Sequence, residues 1–128
     1  MPYATISMNS SISAENAQSL SQELIRLLVE DLGKDADLSV VRVANHASAL
    51  HLADGGAPAG LSVVEVHITA GTTTAEQQAA FIAHTHSALQ SRGLGGQPSY
   101  VIVHQHDAQA WGYGGATQAT RQVSSGDG

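Results

Sequence analysis

The second residue of the chain is the first with chemical promise. Met1-Pro2-Tyr3 runs straight into an alternating segment, Tyr3-Ala4-Thr5-Ile6-Ser7-Met8. A small residue after the initiator favours removal of Met1, so the mature chain is expected to begin at Pro2. An N-terminal proline is a secondary amine, and a free α-amino group has a pKa of about 7.7–8.0. Burial at the start of a strand disfavours the charged form and lowers that value further. A neutral amine near neutral pH can act as a general base, or as a nucleophile toward a carbonyl. The plain alternative is a Met-Pro start with no chemical role.

Histidine supplies the second set of candidates. His104 and His106 flank Gln105, and in a strand such a pair points both rings to one face. With His67 they could make up the three protein ligands that zinc commonly takes beside a water. No acidic fourth ligand is spaced to help, so the rings are read instead as groups at a subunit interface or in water. His84 and His86 stand about 200° apart around a helix and cannot chelate together. They are expected on the surface or at an interface, whereas Tyr3 and the leucines of the first helix are expected in the core.

Composition narrows the classes. The chain has 128 residues, enough for one domain with a core of its own. It has no cysteine, which excludes disulfides, thiolate catalysis and Cys-ligated zinc. Net charge is −6, and the five cations Arg26, Lys34, Arg42, Arg92 and Arg121 form no basic stripe. That argues against nucleic acid and anionic membranes as partners. Apolar runs are short, and no signal-like segment opens the chain, so a cytoplasmic protein with no membrane span is expected.

The elements that must position these groups occur twice. The first half predicts a strand near 3–8, a helix over 14–32 and a strand near 38–45. Ser13 serves as N-cap, Glu15 sits in the first turn, and Gly33 is the stop. Leu20, Leu24, Leu27, Leu28 and Leu32 make one apolar face. The second half predicts a strand over 61–68, a helix opened by the capping box Thr74-Ala75-Glu76-Gln77 and closed near Gly93, and a strand over 100–104. Trp111-Gly112-Tyr113-Gly114-Gly115 follows. Ser13 to Thr74, Gly33 to Gly93 and Gly56 to Gly115 are separated by 61, 60 and 59 positions. The expected fold is therefore α/β: two tandem β-α-β units, about 2–56 and 61–116, joined by residues 55–60. Together they give a four-stranded sheet with two helices on one face. Residues 117–128 are read as the C-terminal tail, its end from Gln122 to Gly128 polar, small and frayed. The bare sheet face carries apolar residues and calls for cover by other subunits.

Pro2, the doubled unit and the closing aromatic-Gly-x-Gly-Gly resemble the tautomerase superfamily, over roughly residues 2–116. That group includes 4-oxalocrotonate tautomerase, macrophage migration inhibitory factor, malonate semialdehyde decarboxylase and cis-3-chloroacrylic acid dehalogenase. The resemblance implies a trimer of doubled units, with Pro2 moving a proton, activating water or forming an iminium. It implies pocket roles for Lys34 after the first helix, Tyr100 from a neighbouring subunit, Ile68 as an apolar wall and Trp111 as the closing residue. Asp37 falls near a carboxylate of the decarboxylase branch. Arg42 resembles the strand arginine of single-unit tautomerases, but repeat symmetry assigns it to the pocket that lacks a proline. The segment Thr69-Ala70-Gly71-Thr72-Thr73-Thr74 departs from the dehalogenases and the decarboxylase, which carry arginines there. Threonines cannot replace a bidentate carboxylate clamp.

The expected activity is keto–enol isomerisation of small 2-oxo or enol acids. Pro2 would serve as base and acid, with Tyr100, and Lys34 beside it, at the developing oxyanion. No cofactor is needed, because the substrate's carbonyl is the electron sink. Two alternatives stand: Pro2-dependent hydration, dehalogenation or decarboxylation, and a non-catalytic oligomeric or metal-binding protein that keeps only the fold.

Overall fold

The computed structural model describes residues 2–44, 50–58, 60–94 and 99–125. Met1, Asn45, Ala59 and residues 126–128, which figure in the expected start, second strand, linker and tail, lie outside the described residues.

Strand β1, Tyr3–Met8, buries every second residue, as its alternating sequence requires. Helix α1, Ala14–Glu30, starts where Ser13 accepts a hydrogen bond from the Asn16 amide. It ends two residues before the expected end at residue 32. Leu32 is nevertheless buried, and Gly33 takes the left-handed conformation (φ +66°) that turns the chain. The Lys34 amide then reaches back to the Leu28 carbonyl at 3.0 Å. A single 3-10 turn, Ala36–Leu38, is capped by the Asp35 side chain and delays strand β2 to Val40–Ala44.

The second unit repeats the pattern with strand β3, Ser62–Thr69, helix α2, Ala75–Gln90, and strand β4, Ser99–His106. Both halves of the Thr74/Gln77 capping box form. The helix closes with Gly93 at φ +71° and paired bonds from Leu94 N–H to Leu89 C=O and from Gly93 N–H to Gln90 C=O.

The sheet order is β2-β1-β3-β4. β1 runs parallel to β2, β3 parallel to β4, and the two units meet antiparallel through β1 and β3. One face packs on both helices: Ala4, Ile6, Met8, Val64, Val66 and Ile68 meet Leu20, Leu24, Leu28, Phe81 and Leu89 in a single core. The opposite face carries rows set by register, Val40-Tyr3-His67-His104 and Arg42-Thr5-Glu65-Ile102. It is more polar than expected, although Val40, Tyr100 and Ile102 stand exposed on it. Tyr3 belongs to this face and not to the core, because the parity that buries Pro2 and Ala4 turns it outward.

Beyond β4 the chain is ordered further than its polar composition suggests. Strands β5, Gly112–Tyr113, and β6, Ala116–Thr117, form a hairpin. Its two-residue turn is Gly114-Gly115, both at positive φ, the geometry of a type I′ turn. Helix α3, Gln118–Ser125, runs through the first part of the segment expected to fray. The Thr120 amide bonds Thr117 Oγ1, and the Arg121 guanidinium lies 3.9 Å over the Tyr113 ring while donating to the Tyr113 carbonyl. These contacts order it without an apolar stripe. No helix among the described residues is long and apolar enough to cross a membrane.

Candidate functional site

Pro2 sits at the end of the sheet where β1 and β2 begin and β3 and β4 finish. It is buried, and its carbonyl accepts from the Val40 amide at 3.2 Å, which ties the strand start to β2. A cavity of about 650 Å³ opens beside it. The 3-10 turn contributes Asp37 and Leu38, β2 contributes Val40, and β1 contributes Tyr3. The hairpin segment supplies Ala110, Trp111 and Tyr113, and the ends of β3 and β4 supply His67 and His106. Apolar and aromatic walls with few polar groups are what a small-molecule site requires.

Of the residues singled out in the sequence, the fold brings Pro2, Asp37 and Trp111 together around this cavity. Trp111 is held by its ring nitrogen, which donates to Thr69 Oγ1 at 3.3 Å. Lys34 does not line the cavity. It is 6% exposed, and its ammonium donates to Thr72 Oγ1 at 2.6 Å, whose hydroxyl in turn donates to the Thr69 carbonyl. A cation therefore does enter the 69–74 segment, but from the end of α1 and from behind the Trp111 wall. Ile68 is fully buried in the helix-facing core and lines nothing open. Arg42 is exposed on the bare sheet face, outside the cavity lining. Tyr100 pairs with Val63, and Val63 with Ser7, whereas His67 pairs with Tyr3. Tyr100 thus lies toward the opposite end of the sheet from Pro2 of its own chain, and is 54% exposed. Among the described residues, no Lys or Arg lines the cavity.

The sequence left the histidines without a place in the site, and the structure gives two of them one. His67 Nδ1 and His106 Nε2 lie 2.7 Å apart. Their rings stack with centroids 4.9 Å apart, and His104 stacks on His67 at 4.6 Å. His104 Nε2 donates to Glu65 Oε1 at 2.9 Å, while Trp111 abuts His106 at 5.3 Å. Burial, followed by the neighbouring His104 and His106, lowers the His67 pKa from its ordinary 6.5, and Glu65 opposes that shift. Both effects favour the neutral ring. The signal for this cluster was strand parity, which puts 104 and 106 on one face, but the partner depends on the β3–β4 register. Among the described residues no group of three or more His, Cys, Asp or Glu is arranged to hold a metal ion. Of the helix pair, His84 is exposed against Asp31, and His86 bonds Ser99.

No protein-family model and no curated relative matches the sequence. Solved structures do match in fold. The chain superposes on the wild-type F6 fused 4-OT, an asymmetric trimer, with a TM-score of 0.83 at 20% identity, covering 93% of this chain and 98% of that one. It superposes on N1, a member of the cis-3-chloroacrylic acid dehalogenase family, with a TM-score of 0.81 at 19% identity, covering 96% and 91%. A macrophage migration inhibitory factor-like protein from Entamoeba histolytica gives 0.76 at 19% identity, covering 91% and 97%. The fold of this chain is the one these proteins share.

Proposed function

We propose that the protein is a tautomerase-like enzyme in which the Pro2 amine, freed of Met1, is the general base and acid of a keto–enol isomerisation. The observation that carries the proposal is the position of Pro2, buried at the wall of an apolar-lined cavity. A secondary amine there is held neutral by desolvation and has room for a small substrate at its side. The amine takes a proton from carbon α to a carbonyl, or from an enol hydroxyl, and returns it to the other atom. Small 2-oxo or enol acids are the substrate class, their apolar body packing on Trp111 and Tyr113.

The assembly proposed is a homotrimer, as the fused 4-OT structure is. It is supported by the exposed Val40, Tyr100 and Ile102 on the sheet face that no helix covers. Tyr100 can then reach a Pro2 cavity only across a subunit boundary, and exposed Arg42 meets a substrate carboxylate only in the same way. Lys34 is proposed to act behind the site, fastening Thr72 and through it the strand end that holds Trp111.

Asp37 favours a second reading. A carboxylate in the cavity with Pro2 could orient a water for hydration or dehalogenation of an unsaturated acid, the chemistry that the N1 family name suggests. The deciding experiment is turnover of a panel of enol, 2-oxo and halogenated unsaturated acids by wild type and Pro2→Ala, with intact mass of the active protein. Isomer products lost in Pro2→Ala support the proposal. Water-added products support the second reading. A retained Met1 in active protein makes Pro2 an imide and ends both.

A further inference from the structure

We propose that the His67–His106 pair is a second proton-handling site of the cavity, relaying a proton along its 2.7 Å contact while Pro2 serves the substrate carbon. The inference rests on the Pro2 reading above and narrows it: Pro2 exchanges the proton at the substrate carbon, and the pair, in place of Pro2, exchanges the proton at the substrate oxygen.

Two ring nitrogens at hydrogen-bond distance must be one donor and one acceptor. If His106 Nε2–H donates to His67 Nδ1, then His106 Nδ1 is bare and His67 Nε2 carries a proton. A proton arriving at His106 Nδ1 lets the Nε2 proton pass to His67 Nδ1, and His67 Nε2 releases its own. One proton enters, one leaves, and both rings exchange tautomers with no net charge. The opposite arrangement carries a proton the other way. In enolisation, neutral Pro2 takes the proton from carbon, the C–H electron pair becomes the new C=C bond, and the carbonyl π pair moves to oxygen. The pair gives that oxygen its proton and refills from water, and Pro2 returns its proton to water, so the sum is zero.

The surroundings hold the pair in the state this needs. Glu65 on β3 binds His104 on β4, and that ring stacks on His67 from one side. Tyr3 from β1 stacks on His67 at 5.9 Å, and Trp111 meets His106. Asp37 and Tyr113 complete the titratable and charged groups around the cavity. A neutral His67 keeps one donor and one acceptor in play, and a charged one would fill the acceptor.

His106→Gln and His67→Asn place an amide nitrogen where Nε2 and Nδ1 stand, preserving the contact but not the relay. With the full chain and phenylenolpyruvate as probe, each variant should lose about 10²-fold in kcat. Each should also lose the acid limb of the rate profile that arises as His67 becomes charged below histidine's ordinary 6.5. A drop of equal size at every pH, with the limb intact, marks a merely structural pair and overturns the proposal. Pro2→Ala separates the two readings: if it is inactive while both histidine variants keep the wild-type profile, the relay alone fails. If it turns over like wild type, the Pro2 reading fails. A readout free of substrate is NMR of the imidazole nitrogens. Protons averaging between the two tautomers support the relay, and one fixed tautomer or a charged pair at neutral pH overturns it.

Discussion

The start of β1 and the start of β3 occupy equivalent places in the two β-α-β units, and they are finished differently. At β3, Leu61 is buried and its amide donates to the Pro58 carbonyl at 3.1 Å. Ser62 Oγ donates to the Leu94 carbonyl at 2.9 Å. The neighbouring loop is drawn in by Asn9, whose side chain bonds both Leu50 and the Pro58 carbonyl. Backbone groups at that end find partners locally. At β1, Pro2 lies at the cavity wall, and the segment after β4 stands away as a hairpin, leaving the cavity open between Trp111, Asp37 and the histidines. Among the described residues, one architecture therefore makes a closed end and an open one. Among those residues, the difference lies between residues 50–58, drawn in by Asn9, and the hairpin that follows β4.

The largest expected effect follows from that contrast. Pro2→Ala should lower turnover by about 10²–10⁴-fold, the usual range for a positioned proton-transfer group, with little change in melting temperature. Leu61→Ala should do the reverse. It removes a buried side chain at the closed end and should cost about 2–5 kcal/mol of stability while leaving kcat per folded molecule unchanged. Equal loss of turnover in both variants would erase the distinction between the two ends. Turnover and thermal melts on the same preparations measure both.

Gly112 tests the hairpin that keeps the open end open. A Cβ built there falls 2.0 Å from the Ala116 carbonyl oxygen, a backbone atom that cannot step aside. Gly112→Ala should cost about 1–3 kcal/mol, the range for overpacking, and should raise KM by displacing Trp111. An unchanged melting temperature together with an unchanged KM would show that the hairpin does not frame the cavity.

Local rules were legible in the sequence wherever one short segment decides the outcome. Ser13, the Thr74/Gln77 box, Gly33 and Gly93 fixed both helices to within two residues. The alternating runs fixed all four strands of the main sheet, and their repeat fixed the order of the units. Helix α3 was not read, because its residues are polar and its order comes from Arg121 on Tyr113 and from the Thr117 cap. A threonine three residues before Thr120 was the available signal. At the site, Pro2, Asp37 and Trp111 could be named from the chain, but their meeting depends on the 3-10 turn and the hairpin. The pairing of His67 with His106, 39 residues apart, is a product of strand register. No local pattern encodes it.

The smallest expected effect bears on the open end through its charge. Unfolded, His67 takes up a proton near its ordinary 6.5, and folded it resists, first because it is partly buried and then because His104 and His106 adjoin it. Above 6.5 neither state binds that proton, so the contribution to stability is flat. As pH falls below 6.5, the unfolded chain binds it first and the folded state loses stability until the lowered folded value is passed. Melting temperature should therefore decline over that window, and His67→Asn should shallow the decline. If the His67→Asn slope matched wild type, the cluster at the open end would not bear on folding, and the two ends would differ in shape alone.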